Sequence, residues 1–292
     1  MNPVAELPSY GVVVVSYASD TELKSFLQSL SSSDCLPHSV IVVENAHNAP
    51  LLPTVPEFPI TLLHLPHNPG YGGAVNAGVA ELPAEVEWIL VSNPDVTLMP
   101  DTVSTLLQQV ALSDSLGSIG PALMNPDGSV YPSARAVPSV SIGIGHALFG
   151  ALWPSNPWTL RYRGTYGNDR PRVCGWLSGA CLIVNREAFD SLGGFDEEFF
   201  MFMEDVDLGA RLGMEGRSNL YVPAARAVHV VGHATGGAKA AMIRAHHDSA
   251  KRFISKSYPG LPWLPLRLIV NSGLAARRWL VQLNARAKPQ RD

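Results

Sequence analysis

Cysteine is scarce in this chain: 292 residues include three, Cys35, Cys174 and Cys181. None stands in a CxxC pair and the number is odd, so neither a disulfide framework nor a cysteine zinc site is expected, and a reducing compartment fits best. Long apolar runs are missing too. No window offers the roughly 20 uncharged apolar residues that span a bilayer. No basic stretch precedes an apolar core near the start, so no secretory signal is expected. The chain has no Walker A Gly-Lys-Ser/Thr. No GxGxxG follows the first apolar run, where Ser16-Tyr17-Ala18-Ser19-Asp20 stands instead, so a Rossmann dehydrogenase is not expected. Leu177-Ser178-Gly179-Ala180 lacks G-x-S-x-G and supports no hydrolase elbow. Acids are absent from Ser249 to Arg291, which carries nine Lys or Arg. The net charge of −4 therefore conceals an acidic body with a basic tail. Such a body repels phosphodiesters and excludes nucleic acid as the expected partner, while the tail fits an anionic surface.

What is present describes a large core. Apolar residues make up 46% of the chain, and the 24 Pro and 25 Gly are spread among apolar runs as turns. One large globular domain, or one domain plus an appendage, is expected. Val12 to Tyr17, Val40 to Val43, Ile60 to Leu63, Trp88 to Val91 and Ala180 to Val184 read as buried strands. Asp20 to Leu30 has helical spacing, with Leu23, Phe26, Leu27 and Leu30 on one face. Strands alternating with helices predict a mainly parallel central sheet flanked by helices, with ligands beyond the strand C-termini. Ile119 to Ser139 and Phe149 to Arg172 read as irregular, Leu220 to Pro223 and Ala227 to Val231 as two short strands. Ala238 to Ser257 reads as one helix, and Leu261 to Leu283 as one or two more.

The strand ends carry the polar residues. Glu44-Asn45 closes one strand. Asn93-Pro94-Asp95 closes another and is either a turn or a carboxylate site for Mg²⁺ or Mn²⁺. Asn68 to Gly78, with glycines at 70, 72, 73 and 78, reads as a loop entering a helix, where backbone N–H groups can approach a diphosphate. Either His229 or His233 can add a nitrogen to the same cation; their valine-rich flanks argue against a helical zinc pair. Arg135, Arg161, Arg163, Arg170 and Arg172 are candidates for phosphates. The densest signal is Glu204-Asp205-Val206-Asp207, directly after Phe199-Phe200-Met201-Phe202. Acids suit a helix N-terminus, and Asp207 with Arg211 at i,i+4 reads as a surface ion pair. A carboxylate beside apolar neighbours is also suited to general-base work. Glu204 and Asp207, three apart, are expected to share a face, with Asp205 pointing elsewhere.

Together these residues resemble the inverting glycosyltransferases of family 2, over nearly all of residues 9–257. The resemblance implies an α/β GT-A fold with a C-terminal helical appendage: residues 1–237 as the transferase domain, 238–292 as a basic amphipathic region able to meet membrane. Glu44-Asn45 resembles the family's nucleotide-binding strand end, with Glu in place of the usual Asp. Asn93-Pro94-Asp95 resembles its D-x-D, with Asn first, which leaves Asp95 as the main metal ligand. His229, in His-x-x-Gly-x-x-Thr, resembles the metal-ligand histidine. Glu204-Asp205 resembles the acid pair whose Asp is the catalytic base, with Glu204 as its supporting neighbour. Gly72, Gly73 and Asn76 are implied to line the nucleotide. Three further strings, Asn125 to Arg135, Trp153 to Trp158 and Gly175 to Gly179, resemble the actinobacterial rhamnosyltransferases of cell-wall linkage-unit assembly, and Arg135 and Trp176 are carried with them as donor-binding residues. That group implies dTDP-rhamnose as donor, a polyprenyl-diphosphate-linked N-acetylglucosamine as acceptor, a divalent cation, and a peripheral place on the inner face of the cell membrane. The aromatic run before Glu204 is then expected to wall the sugar pocket.

Overall fold

The computed structural model describes residues 7–46, 57–110, 113, 115–139, 142, 153, 155–163, 169–230 and 236–287. The chain divides into two compact units, residues 1–197 with 204–232, and residues 198–203 with 233–292.

The first unit is built on one sheet. Its strands are β1 (Tyr10–Ser16), β2 (Val40–Glu44), β3 (Ile60–His64), β4 (Trp88–Ser92), β5 (Val96–Leu98), β6 (Leu116–Met124), β7 (Val130–Tyr131), β8 (Ala134–Arg135), β9 (Arg172–Cys174), β10 (Trp176–Leu177), β11 (Cys181–Asn185) and β12 (Ser218–His229). Its helices are α1 (Asp20–Ser31), α2 (Gly70–Ala80), α3 (Thr102–Val110), α4 (Pro157–Arg163), α5 (Arg186–Ser191) and α6 (Glu204–Met214). The main sheet runs β3-β2-β1-β4-β11-β6-β12-β5, and β8 with β10 forms a separate small ribbon. The pairs β3-β2, β2-β1, β1-β4 and β6-β12 are parallel. Strand β11 is antiparallel to both β4 and β6 and joins the two parallel parts. The α/β architecture is as expected, with a more mixed sheet.

Valine-rich strands are buried on both faces, as parallel strands between helix layers must be. Val12 and Val14 point into one core with Phe26, Leu27 and Leu30 of α1 and Leu106 of α3. Val13 and Val15 point into the other with Val75 and Val79 of α2 and Leu208 and Leu212 of α6.

Some local expectations change. Ile119 to Met124, part of a proline-containing stretch read as irregular, belongs to strand β6, which pairs with β11 and β12. The two short strands near 220–231 are one strand, β12, whose register breaks between Val222 and Arg226, where Pro223 cannot donate to the ladder. Within 149–172, Pro157–Arg163 is helical; much of the remainder lies outside the described residues.

The second unit holds α7 (Gly236–Ser257), a single 3₁₀ turn at Leu261–Trp263 and α8 (Leu264–Ala287). Segment 198–203 belongs to it: Ser249 Oγ donates to Met201 O at 2.7 Å, and Arg252 pairs with Glu198 while lying 5.3 Å over the Phe199 ring. Within the run 199–202, Phe199 is fully buried and Phe200 is 47% exposed. No helix among the described residues is long and apolar enough to cross a membrane.

Candidate active site

Parallel register brings the strand ends together. Ser16 stands beside Glu44, and Val14 beside Ser92, so β1, β2 and β4 end along one edge of the sheet. Glu44 is wholly buried there. Its Oε1 accepts from Ala46 N at 2.7 Å and Ala18 N at 3.2 Å, while Oε2 is buried with no partner. A buried acceptor left open is costly unless something donates to it. Asn45 repeats the pattern: Nδ2 reaches Gly70 O at 3.4 Å and Oδ1 is unpartnered. Two open acceptors at a strand end suit the N–H edge of a nucleobase.

The loop leading into α2 is a built turn. Asn68 Oδ1 accepts from Gly70 N at 2.8 Å, and Gly70 takes φ +86°, a conformation glycine adopts without a Cβ penalty. Gly72 and Gly73 are explained by packing: a Cβ at 72 would meet Phe195 Cβ at 2.9 Å, and one at 73 would meet Pro69 Cβ at 2.8 Å. Asn76 is likewise committed to the fold. Its Nδ2 donates to Phe195 O at 2.9 Å and Glu197 Oε1 at 3.1 Å, and its Oδ1 accepts from Phe195 N.

Asp95 and His229 meet because β12 pairs antiparallel with β5, setting His229 opposite Val96. Asp95 Oδ1 lies 3.2 Å from His229 Nε2, yet makes no hydrogen bond. Asn93 Nδ2 stands 3.5 Å from the same nitrogen. In the tautomer protonated at Nδ1, Nε2 carries its one lone pair in the same small space as the Asp95 oxygen. Two such atoms in close approach fit a shared hard cation. Among the described residues no group of three or more His, Cys, Asp or Glu could hold a metal ion. Mg²⁺ and Mn²⁺ sites with one or two protein ligands are completed by substrate phosphates and water, so the residues present fit a cation that arrives with a nucleoside diphosphate. His233 lies outside the described residues.

Arg135 and Trp176 face each other across the β8–β10 ribbon, with the guanidinium 5.8 Å from the indole. Arg135 Nε donates to Pro132 O and Trp176 Nε1 to Ala136 O, which fixes both side chains. Arg170 and Arg172 do not join them. Arg172 donates to Ala134 O and lies over the Tyr221 ring, and Arg170 pairs with its neighbour Asp169 at the surface. The side chains of Arg161 and Arg163 lie outside the described residues.

The acid pair opens α6. Glu204 is buried and Asp205 half-buried, with Asp207 on the buried face as the spacing requires. Asp205 Oδ2 accepts from Gly179 N at 3.0 Å and Oδ1 from Val206 N at 2.8 Å. Burial raises its pKa; those backbone bonds and the charge of Arg135 act the other way. Glu204 is pushed up to about 8, first by burial and then by the neighbouring Asp205, and its Oε2 has no partner. Burial and the neighbouring carboxylate favour the neutral form of Glu204, while the N–H bonds from Gly179 and Val206 favour the charged form of Asp205. The accessible carboxylate of raised basicity is thus Asp205, the group a general base requires.

Two residues escaped the sequence reading. Tyr71 donates its hydroxyl to Gly179 O at 2.6 Å, and Gly179 holds Asp205. Their separation of 108 residues leaves no local signal. The Asp207–Arg211 pair also differs from expectation. It is buried, and Arg211 reaches on to Leu192 O at 3.0 Å and Gly194 O at 2.8 Å.

Comparison with known proteins agrees with this geometry. The glycosyl transferase family 2 model matches residues 11–193. The N-acetylglucosaminyl-diphospho-decaprenol L-rhamnosyltransferase of Mycobacterium tuberculosis is 41% identical, over 92% of each chain. Rhamnosyltransferase WbbL of Escherichia coli is 26% identical, over 84% of this chain and 92% of its own. The mannosyltransferase PcManGT of Pyrobaculum calidifontis, solved with GDP-Man and Mn²⁺, superposes with a TM-score of 0.59 at 16% identity, over 98% of this chain and 77% of its own. A mixed sheet whose strand ends carry Glu44 and His229, with Asp95 following β4 and Asp205 opening α6, within a sequence matched along most of its length, belongs with the family model and the 41% identical relative: this chain is a member of glycosyl transferase family 2, with the GT-A fold.

Proposed function

We propose that this protein is an inverting rhamnosyltransferase that moves L-rhamnose from dTDP-L-rhamnose to the 3-hydroxyl of N-acetylglucosaminyl-diphosphoryl-polyprenol in cell-wall linkage-unit synthesis. The observation that carries this reading is the 41% identity to a relative named for that acceptor and sugar, over 92% of both chains. The acid pair supports it: a non-catalytic nucleotide-sugar-binding module would need Glu44 but not a half-buried base.

In this reading Glu44 Oε2 accepts from thymine N3–H, with Asn45 beside it. Asn93, Arg135 and Trp176 line the donor, while Gly72, Gly73 and Asn76 shape the loop next to it. Asp205 takes the proton of the acceptor hydroxyl as that oxygen attacks C1 of rhamnose. The bond from C1 to the diphosphate oxygen breaks on the opposite face, dTDP leaves with the electron pair, and configuration inverts. Help of this kind is typically worth ~10²–10⁴-fold. Asp95 and His229 would hold a divalent cation, Mg²⁺ or Mn²⁺, which when bound neutralises charge on the leaving diphosphate. Residues 1–237 carry the chemistry and 238–292 the contact with an anionic membrane, on its cytoplasmic face. Exposed Leu261 (80%), Ile269 (70%), Trp263, Leu264 and Leu268 support that contact, together with the nine Lys or Arg and no acid between Ser249 and Arg291.

The test is a transfer assay of dTDP-rhamnose against other nucleotide-sugars, on a short-chain lipid-diphosphate N-acetylglucosamine acceptor, with and without chelator. Rhamnose transfer from dTDP-rhamnose that stops with chelator is the expected result. Preference for another donor reassigns the sugar, and donor binding without transfer to any acceptor reduces the protein to a binding module. Flotation with anionic vesicles, for the whole chain and one ending near Ser257, tests the tail; equal binding by both would show that it is not the anchor.

A further inference from the structure

A short turn, Ser178-Gly179-Ala180, joins parts of the site that the reaction above treats separately. Ser178 N donates to Ser133 O at 2.8 Å, just before β8 and Arg135. Gly179 N donates to Asp205 Oδ2. Ala180 O accepts from Asn93 N at 2.9 Å, at the metal-side end of β4. A further bond comes from a distant side chain: Tyr71 OH donates to Gly179 O at 2.6 Å. Tyr71 is the second residue of α2, so it reaches this turn from the loop on the nucleotide side.

The geometry points to Tyr71 as a positioning residue for transfer: its hydroxyl pins the turn at Gly179, so that the Gly179 N–H holds the Asp205 carboxylate at a fixed distance from the donor-binding strand ends. The inference rests on Asp205 being the base. Glycine has soft φ and ψ, so a turn built on Gly179 is held by its bonds and not by its own backbone. Tyr71 and Asp205 flank that residue closely. A Cβ at 179 would stand 3.4 Å from Tyr71 Cε1 and 3.5 Å from Asp205 Cβ, ordinary contact on both sides. Burial, with Glu204 and Asp205 nearby, keeps the Tyr71 hydroxyl pKa well above its usual value, so the donor persists across the working range. Among the described residues, Glu204, next to Asp205 on α6, and Arg135 from β8 act on the Asp205 carboxylate, and Cys181 and Asp95 act with the acid pair on Tyr71.

Tyr71→Phe removes only the hydroxyl. In the full chain its kcat for transfer is expected to fall about 10- to 100-fold, the scale of a small misplacement of a reacting group. The donor KM is expected to stay unchanged. The acid limb of kcat/KM is expected to move to higher pH, because a carboxylate that loses an N–H bond ionises less readily. A melting temperature within a few degrees of the natural chain's would confirm an intact fold. Tyr71→Leu also removes the hydroxyl, and the same pattern is expected; it stands in if Tyr71→Phe does not fold. Unchanged kcat and pH profile in the folded variants would overturn the inference. So would a raised donor KM with unchanged kcat, which would put Tyr71 in the donor pocket. Asp205→Asn is assayed alongside. If it turns over normally, the base assignment itself is wrong; if it is inactive while Tyr71→Phe behaves as the natural chain, only the role of Tyr71 is lost.

Discussion

Glu204 and Asp207 stand one turn apart on α6 and are both buried, at 6% and 3% exposure. Their partners differ. Asp207 has the Arg211 guanidinium at 2.7 Å, and that cation also binds the carbonyls of Leu192 and Gly194. Glu204, among the described residues, has no cation within ion-pair distance, and it has a second carboxylate, Asp205, beside it. The paired acid clamps a loop to the helix. The unpaired acid has its pKa pushed up to about 8 and, in the function proposed above, supports a neighbour that takes the proton. Burial is common to both, so burial alone does not mark a functional acid. A buried acid without a cation is costly to the fold, and such groups gather where chemistry needs them.

Four measurements can break or sharpen this contrast. The largest effect is expected for Asp205→Asn, with a loss of turnover of at least ~10²–10⁴-fold and dTDP binding retained, as read by calorimetry and a transfer assay. Normal turnover would remove the distinction between the two turns. Next comes Arg211→Met, which strands the Asp207 charge; a loss of about 3–5 kcal/mol in urea unfolding is expected. A loss under 1 kcal/mol would make the buried pair no more than the surface pair read from the sequence.

Third is Glu204→Gln. Glu204 has a folded pKa raised above its unfolded value, so the folded state holds a proton that the unfolded state releases. Stability should therefore fall as pH rises from the ordinary glutamate range to about 8, by up to ~1.4 kcal/mol per pH unit. The variant should lose most of that slope and melt higher than the natural chain at pH 8. An unchanged slope would place the Glu204 proton elsewhere. The smallest effect is expected for Glu44→Gln, which turns an acceptor toward a donor at the strand end. A loss of about 1–3 kcal/mol in dTDP affinity, with the melting temperature little changed, would mark Glu44 as a base-reading group and not only a loop support.

Much of the scaffold is legible in the sequence because one signal governs it. Val12 to Val15 and Val40 to Val43 are β-branched and apolar throughout, which only strands buried on both faces tolerate. Leu23, Phe26, Leu27 and Leu30 mark the inward stripe of α1 by spacing alone. Asp205 against Glu204 and Asp207 follows from helical periodicity in the same way. The resemblance at Glu44, Asp95 and His229 adds residues whose local patterns, taken singly, read as turns or structural histidines. Strand β6 escapes because Pro121 argues against a strand, while pairing with β11 and β12 decides otherwise. The glycines at 72 and 73 look like an opening for phosphate, and only packing shows Phe195 and Pro69 filling the space.

The sequence by itself determined the layers, the helix that carries the acids, and the charge split between body and tail. These depend on periodicity and composition, which are local properties of the chain. Tertiary structure decided which acid is paired and which is left alone. Arg211 is buried with Asp207 by the loop at 192–194, and Tyr71 reaches Gly179 from 108 residues away. Ionisation and positioning depend on the distances between such remote groups and on how far water is excluded from them, and the fold alone sets both.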